Sequence, residues 1–210
     1  SLDGLNTYTG GTIVSNGTLG GIGVISGPVL ITSNGSLAPG ASVGTLTINH
    51  TLTLQGATVM ELTRDNGSPE SDLVAGVTTL FYGGTLVLTN AGTNLLAVND
   101  VFNLFDATAF DGAFVTVVPP DGYTVDSSLL PVDGTVKITS APVVTPPEIT
   151  GFSPVNDGNF SLTFSGVSGQ NYRIWATTNV ANTPIPVTWD LLDTGTFGAS
   201  SVTFDDLTAT

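Results

Sequence analysis

The chain has 210 residues, 26 of them glycine, with 17 acids against three cations, a formal charge of −14 and no cysteine. Arg64, Lys137 and Arg173 are too few to neutralise a phosphate backbone, which disfavours nucleic acid and, for the same reason, an anionic membrane surface. Without cysteine there is no disulfide framework or thiolate metal site. No run reaches the roughly 20 apolar residues of a membrane helix. With 40% hydrophobic and only 10% charged residues, the composition is neither disordered nor helical.

Residues 6–62 alternate short β-favouring runs with Gly, Asn and Pro corners. Asn16-Gly17-Thr18-Leu19 returns as Asn34-Gly35-Ser36-Leu37, and Gly-Thr-Leu returns at 44–46 and 84–86. Such recurrence predicts a wound β-structure in which each turn of chain buries its apolar face only when the next stacks on it. From Leu46 to Leu54, Leu46, Ile48, Leu52 and Leu54 alternate with threonines, so one face is buried and one is wet. Asn-Gly at 16, 34 and 66 supplies residues that tolerate positive φ at tight corners. No capped segment of 3.6-residue period is long enough to predict a helix.

Thr63–Asp72 is the first polar excursion and reads as a protruding loop. Winding resumes at Val77–Phe81, Gly84–Thr89 and Val101–Phe105, and the larger side chains Phe110, Phe114 and Tyr123 predict a widening coil or a cap, with strands at Phe114–Val118 and Thr135–Thr139. At about 20 residues per coil, residues 1–140 would make about seven coils, a rod on the order of 35 Å. The Pro-rich stretch 141–147 reads as a linker. Residues 148–210 then show short strands at about ten-residue spacing, including Phe160–Ser165, Tyr172–Trp175, Val187–Leu191 and Ser201–Phe204, and read as a small antiparallel β-sandwich with both tryptophans in its core.

The segments NTYTGGTIVSNGTLGGIG (6–23) and SNGSLAPGASVGTLTINHTLTLQGATVMEL (33–62) resemble autotransporter-associated β-strand repeats, with Thr-Tyr-Thr-Gly-Gly-Thr at 7–12 the most specific piece. NYRIWATTNV (171–180) with WDLLDTGTF (189–197) is similar to the fibronectin-type module that ends many such proteins. The resemblance implies a right-handed parallel β-helix followed by an immunoglobulin- or fibronectin-like sandwich short of a strand. It also implies an extracellular, bacterial surface location and a structural or adhesive, non-enzymatic role, with no catalytic residues to carry over.

The residues themselves offer few sites. His50, the single histidine, falls where a strand breaks and reads as a corner residue, so Ser-His-Asp or His-rich metal chemistry has little to stand on. Polysaccharide lyases also wind as β-helices, but Arg64 and Lys137 alone supply cations within 1–140. Asp65, Asn66, Glu70 and Asp72 place hard oxygen donors in one loop, a candidate calcium site, as do Asn156, Asp157 and Asn159; neither set has EF-hand spacing. The frames at Asn16, Asn34, Asn49, Asn66 and Asn159 fit N-glycosylation. In the second region, the alternative to a core place for Trp175 is that it stands with Arg173 on the exposed face of a strand, and this pair is the candidate contact for a sugar or a neighbouring protein.

Ser1 opens on repeat-like sequence with no signal peptide, as expected of a mature or excised chain. The expectation is a structural subunit of an extracellular filament or surface layer that self-associates head to tail by stacking or strand donation, with no cofactor beyond candidate calcium. The alternative is a glycan-binding fragment of a larger surface protein.

Overall fold

The computed structural model describes residues 1–142, 145–154, 160–179, 181 and 188–206. Val143 and Val144 of the linker, the donors Asn156, Asp157 and Asn159, and Val187 lie outside the described residues. The chain divides into two compact units, Ser1–Pro142 and Val143–Thr210. Both are built from strands, with one helical turn among the described residues.

The first nine strands of unit 1 are β1 (Leu5–Asn6), β2 (Thr12–Val14), β3 (Gly17–Gly21), β4 (Val24–Ile25), β5 (Val29–Ile31), β6 (Gly35–Pro39), β7 (Thr45–Ile48), β8 (Leu52–Leu54) and β9 (Ala57–Thr63). They are followed by β10 (Glu70–Ser71), β11 (Leu73–Tyr82), β12 (Thr85–Asn90), β13 (Val101–Asn103), β14 (Phe105–Gly112) and β15 (Thr116–Val118). The unit ends with β16 (Thr124–Asp126), α1 (Leu130–Asp133) and β17 (Thr135–Ser140).

Two parallel sheets carry the unit. One runs β1-β4-β7-β11-β8-β5-β2 with β14 beside β11, and the other runs β15-β12-β9-β6-β3 with β10 beside β9. In chain order the strands fall into five layers, β1–β3, β4–β6, β7–β9, β11–β12 and β14–β15, because each strand pairs with its counterpart one layer on. The step between counterparts is 18 residues from Gly17 to Gly35 and 21 from Ser36 to Ala57. It grows to 28 from Ala57 to Thr85 and 31 from Thr85 to Thr116. The sequence estimate of about seven coils is therefore corrected to five layers, because later layers carry excursions and the last part of the unit forms a cap.

Alternation explains what each layer buries. Leu19, Leu37, Thr58, Leu86 and Val117 stand opposite one another in successive strands and point inward. On the other sheet Val29, Leu52 and Leu80 do the same, as do Ile25 with Ile48 and Leu46 with Val74. The outward row alongside Leu19 and Leu37 is Thr18, Ser36, Ala57, Thr85 and Thr116, small or β-branched residues that suit a wetted sheet face.

The corners are set by backbone contact as much as by φ. Gly17 and Gly67 adopt φ of 86° and 82°, as their Asn-Gly frames predict. Gly56 answers to another constraint: a Cβ there would lie 2.1 Å from the Gly35 carbonyl oxygen, because stacked corners bring backbone against backbone. Thr7–Gly11, the heart of the Thr-Tyr-Thr-Gly-Gly motif, forms the corner between β1 and β2.

The two columns of the first sheet are separate strands in the first three layers and fuse in the fourth. β11 runs unbroken for ten residues, pairing β7 through Leu73–Ala75 and β8 through Leu80–Phe81. His50 lies exposed at the corner between β7 and β8, its Nδ1 accepting the Thr51 amide at 2.8 Å. The offset from β11 to its neighbours is the same on both sides of this corner, 28 residues at Leu73–Thr45 and at Leu80–Leu52, and the bulge between Val74 and Val77 falls in its pairing with β14.

At the C-terminal end of the stack the apolar core is covered, although β14 and β15 each pair on one side only among the described residues. β13, β17 and β16 form an antiparallel sheet whose Phe102, Val136 and Ile138, with Tyr123 just before β16 and Leu130 of α1, join the same apolar core as the parallel layers. α1 is a single turn with Pro131 near its start and Gly134 left-handed at its end; it corrects the expectation of no helix and is too short for periodicity to reveal. Tyr82 donates to the Leu130 carbonyl at 2.8 Å and packs against Phe105, Phe110 and Phe114. The large side chains of this region thus both widen the layers and seal them.

Unit 2 holds β18 (Glu148–Pro154), β19 (Phe160–Ser165), β20 (Asn171–Ala176), β21 (Asp190–Thr196) and β22 (Val202–Asp206). All pairings are antiparallel, in a three-stranded sheet β18-β19-β22 and a two-stranded sheet β20-β21. Phe164, Tyr172 and Phe197 join the two sheets through ring contacts of 5.0–5.8 Å. Trp175 and Trp189 are half-buried, which corrects their expected place in the core: the phenyl and phenol rings fill it, and Gly166 lies directly against the Phe197 ring.

Two substitutions two residues apart test the layer geometry with opposite signs. Gly56→Ala drives a methyl into the Gly35 carbonyl and should lower stability by about 2–4 kcal/mol. Thr58 is fully buried in the aliphatic ladder and its hydroxyl has no hydrogen-bond partner among the described residues, so Thr58→Val should raise stability by about 1 kcal/mol. Urea midpoints at unchanged m-value read both.

Candidate functional site

The first strand layer is the surface on which the sequence places least protection. β1, β2 and β3 stand at the ends of their sheets, each paired on one side among the described residues, so one row of N–H and C=O groups on each strand faces outward. Leu5 and Ile13 on this rim are 71% and 67% exposed, and Tyr8 and Ile22 are exposed nearby. Natural edges are commonly blunted by lysine, proline or an inward charge. Residues 1–60 contain no lysine or arginine and a single acid, Asp3, whereas the remaining 16 acids lie beyond residue 60. The Ser1 hydroxyl and the Ile22 amide both donate to Asp3, holding its carboxyl below the usual range. Leu2 is tied back by its amide to the Gly20 carbonyl at 2.7 Å, and its carbonyl accepts from Gly23 at 2.9 Å. Its side chain packs partly against the core from the open side.

The four candidate calcium donors do not act as one group. The Asn66 side-chain amide reaches Glu70 at 3.2 Å, so these two are brought together at the exposed tip. Asp65 is aimed elsewhere: its carboxylate accepts the backbone amides of Asn94 and Thr93 at 2.9 Å each, which hold it below the usual carboxylate range. Asp72 leaves the loop altogether. It is 1% exposed and spans the two parallel sheets, accepting the Gly44 amide at 2.9 Å on Oδ1 and the Glu61 amide at 2.8 Å on Oδ2. Among the described residues no three His, Asp or Glu side chains converge as a metal-binding group.

Asp72 was legible only as an acid near a turn; its work is to fasten β7 to β9 at the point where the chain crosses between sheets. Burial pushes its carboxyl up to about 6, against the two donated amides and with the charge of Glu61 adding to the rise. A second tie lies one loop away, where Arg64 Nε meets Asp100 at 3.1 Å and Asp100 also accepts the Ala97 amide at 2.7 Å.

In unit 2, Arg173 and Trp175 of β20 line one groove of about 400 Å³ with Ile149, Leu162, Phe164 and Tyr172. Arg173 is exposed as the alternation predicts, but Trp175 is half-buried. β21 carries an extra residue, Leu192, between the partners of Ile174 and Trp175, so the regular alternation between the two strands is interrupted beside the indole. The groove is more apolar than the exposed Arg-Trp pair expected from sequence.

Across unit 2, β18 is a second unprotected strand. It pairs with β19 alone among the described residues, and its Ile149 and Phe152 are 66% and 67% exposed. Nothing in its alternation distinguishes it from a strand with one buried face, so the sequence reading passed over it.

The raised carboxyl of Asp72 gives a signed pH dependence. A group whose folded pKa lies above its unfolded value stabilises most when protonated, and that contribution is lost as pH rises through the folded pKa. Lowering pH from 7.5 to 5 should therefore increase the stability of unit 1, by on the order of 1 kcal/mol from this group. Asp72→Asn should flatten that slope and cost about 1–3 kcal/mol, since an amide nitrogen cannot accept the second backbone N–H. Chemical denaturation across this pH range measures both.

No family model, curated protein or solved structure matches this chain.

Proposed function

We propose that this protein is a non-catalytic structural subunit of an extracellular, bacterial surface assembly. Its first unit is read as a right-handed parallel β-helix and its second as a fibronectin-like sandwich. The observation that carries the reading is the first layer of unit 1, where β1, β2 and β3 each pair on one side among the described residues, with Leu5 and Ile13 exposed and Asp3 the one acid up to residue 60; at the other end β14 and β15 also pair on one side, so both ends of the parallel stack offer strand edges. An edge of this kind is a template for another strand layer. The formal charge of −14 keeps copies apart everywhere else, so association is directed to the uncharged end.

A second reading, glycan binding, rests on the groove beside Arg173 and Trp175. It predicts a saturable change in tryptophan fluorescence with oligosaccharides, which a purely structural subunit does not require.

Sedimentation and electron microscopy over a concentration series test the first reading. Assemblies that grow with concentration, and with salt as like-charge repulsion is screened, are expected. Dispersed single chains at high concentration and high salt would rule it out. Ile13→Lys, a charge placed on an exposed rim position, should abolish assembly without lowering the free energy of unfolding by more than about 0.5 kcal/mol.

A further inference from the structure

We infer that the groove beside β20 accepts a strand from another polypeptide, an extended segment with apolar side chains at alternate positions that pairs with β20 and covers Ile149 and Phe152. Unit 2 sets three strands, β18-β19-β22, against two, β20-β21, so among the described residues one strand's width of the larger sheet has nothing over it. Exposure shows which part that is. Phe164 of β19 packs against Tyr172 and Phe197, which marks the inner face of the larger sheet. Ile149 stands opposite Phe164 and Phe152 opposite Leu162, so both lie on that face, yet they are 66% and 67% exposed. On the far side of β19, Val202 and Phe204 of β22 stand opposite the same two residues and are half-buried. The gap therefore lies over β18. The groove of about 400 Å³ shows which strand borders it: Ile149, Leu162 and Phe164 line one side and the unbroken run 170–175 the other. Successive side chains of a strand point to opposite faces, so a run of both parities borders a cavity only along the strand's edge. β20 pairs with β21 alone among the described residues, and its second edge is the one that opens on the groove, which no residue of β21 or β22 lines among those described.

The lining sets the chemistry of the occupant. The edge N–H and C=O groups of β20 are matched by another backbone, which is how a strand added to a sheet gains affinity, while its alternate side chains gain specificity from the surface they enter. Here that surface is Ile149, Leu162 and Phe164, so the inward side chains are apolar. A sugar would bring hydroxyls over this face without partners for them, at a desolvation cost. The rings of Phe164 and Tyr172 are also turned to each other, edge to face at 5.1 Å, rather than presented to a ligand. Arg173 is the sole charged side chain along the groove among the described residues. It is exposed on the face of β20 opposite Tyr172 and favours a carboxylate on the outer face of the incoming strand. The groove thus takes a peptide in place of the oligosaccharide, whether or not the first layer of unit 1 assembles.

Titration of the full chain with acetylated, amidated octapeptides tests the inference, with tryptophan fluorescence as the readout because Trp175 lines the groove. The peptides alternate Val, Ile, Leu or Phe with Thr, one Thr being replaced by Asp or by Lys. A saturable change is expected, tighter for Asp than for Lys by roughly two- to fivefold, a preference that Arg173→Gln removes. Ile149→Lys, at an exposed position, should weaken binding by about tenfold or more at an unchanged unfolding midpoint, since a charge in the apolar groove lacks a partner. N-methylation of alternate peptide residues should abolish binding in one frame and spare it in the other, because a strand shows alternate N–H groups to each side. No saturable change with any of the peptides up to about 1 mM, or equal binding of both N-methylated frames, overturns the inference. So does saturation by oligosaccharides without a response to peptides, which would return the groove to the glycan reading. Sedimentation reads the first-layer edge separately, so assembly can fail without touching this result.

Discussion

Side-chain matching between successive layers is the constraint on which unit 1 depends. A two-residue strand such as β1 or β4 cannot hold itself together, and parallel pairing needs a connection that leaves the strand and returns. What fixes the register is that Leu19 meets Leu37, Leu52 meets Leu80, and Ile25 meets Ile48, each at essentially no exposure beyond the first layer. A shift by one residue would place Thr53 or Thr47 inside and the leucines in water. The glycine corners serve the same register, because Gly56 lets the backbones of adjacent layers approach closely enough for the ladders to meet.

That constraint was readable where the repeat is regular. The alternation at Leu46, Ile48, Leu52 and Leu54 marks residues that are all buried, and the return of Asn-Gly-x-Leu marks strands that pair directly, Gly17 with Gly35 and Leu19 with Leu37. It faded where side chains grew. In the fourth layer a single strand replaces two, and nothing in Leu73–Tyr82 announces that it will pair with both β7 and β8. The fusion is a tertiary choice, made by which neighbours are already in place.

The candidate sites were less legible, for a physical reason. Proximity in sequence grouped Asp65, Asn66, Glu70 and Asp72 as hard oxygen donors. The fold turns one carboxylate to the amides at Thr93 and Asn94 and another to those at Gly44 and Glu61. Backbone N–H groups left over where the chain changes sheets compete for acids as strongly as a cation would. In unit 2 the large indoles were natural core candidates, yet three smaller aromatic rings occupy the space between the sheets. The available volume was set by Gly166 and Gly195, which a residue-by-residue hydrophobicity reading does not weigh.

The distribution of charge ties the architecture to the proposed role. A chain with 17 acids and three cations is under self-repulsion that grows with every neighbour of the same kind. Spreading those acids evenly would protect the open edge as well as the rest. Instead the first three layers up to Met60 hold one acid, and the outward row of their second sheet is Thr18, Ser36 and Ala57, which adds no charge. Acidic side chains are thus concentrated beyond residue 60, on strands such as β14 with Asp106 and Asp111, and sparse on the first layers. An edge left neutral on a molecule otherwise strongly acidic limits encounters to one orientation, and orientation is what an ordered assembly needs before affinity.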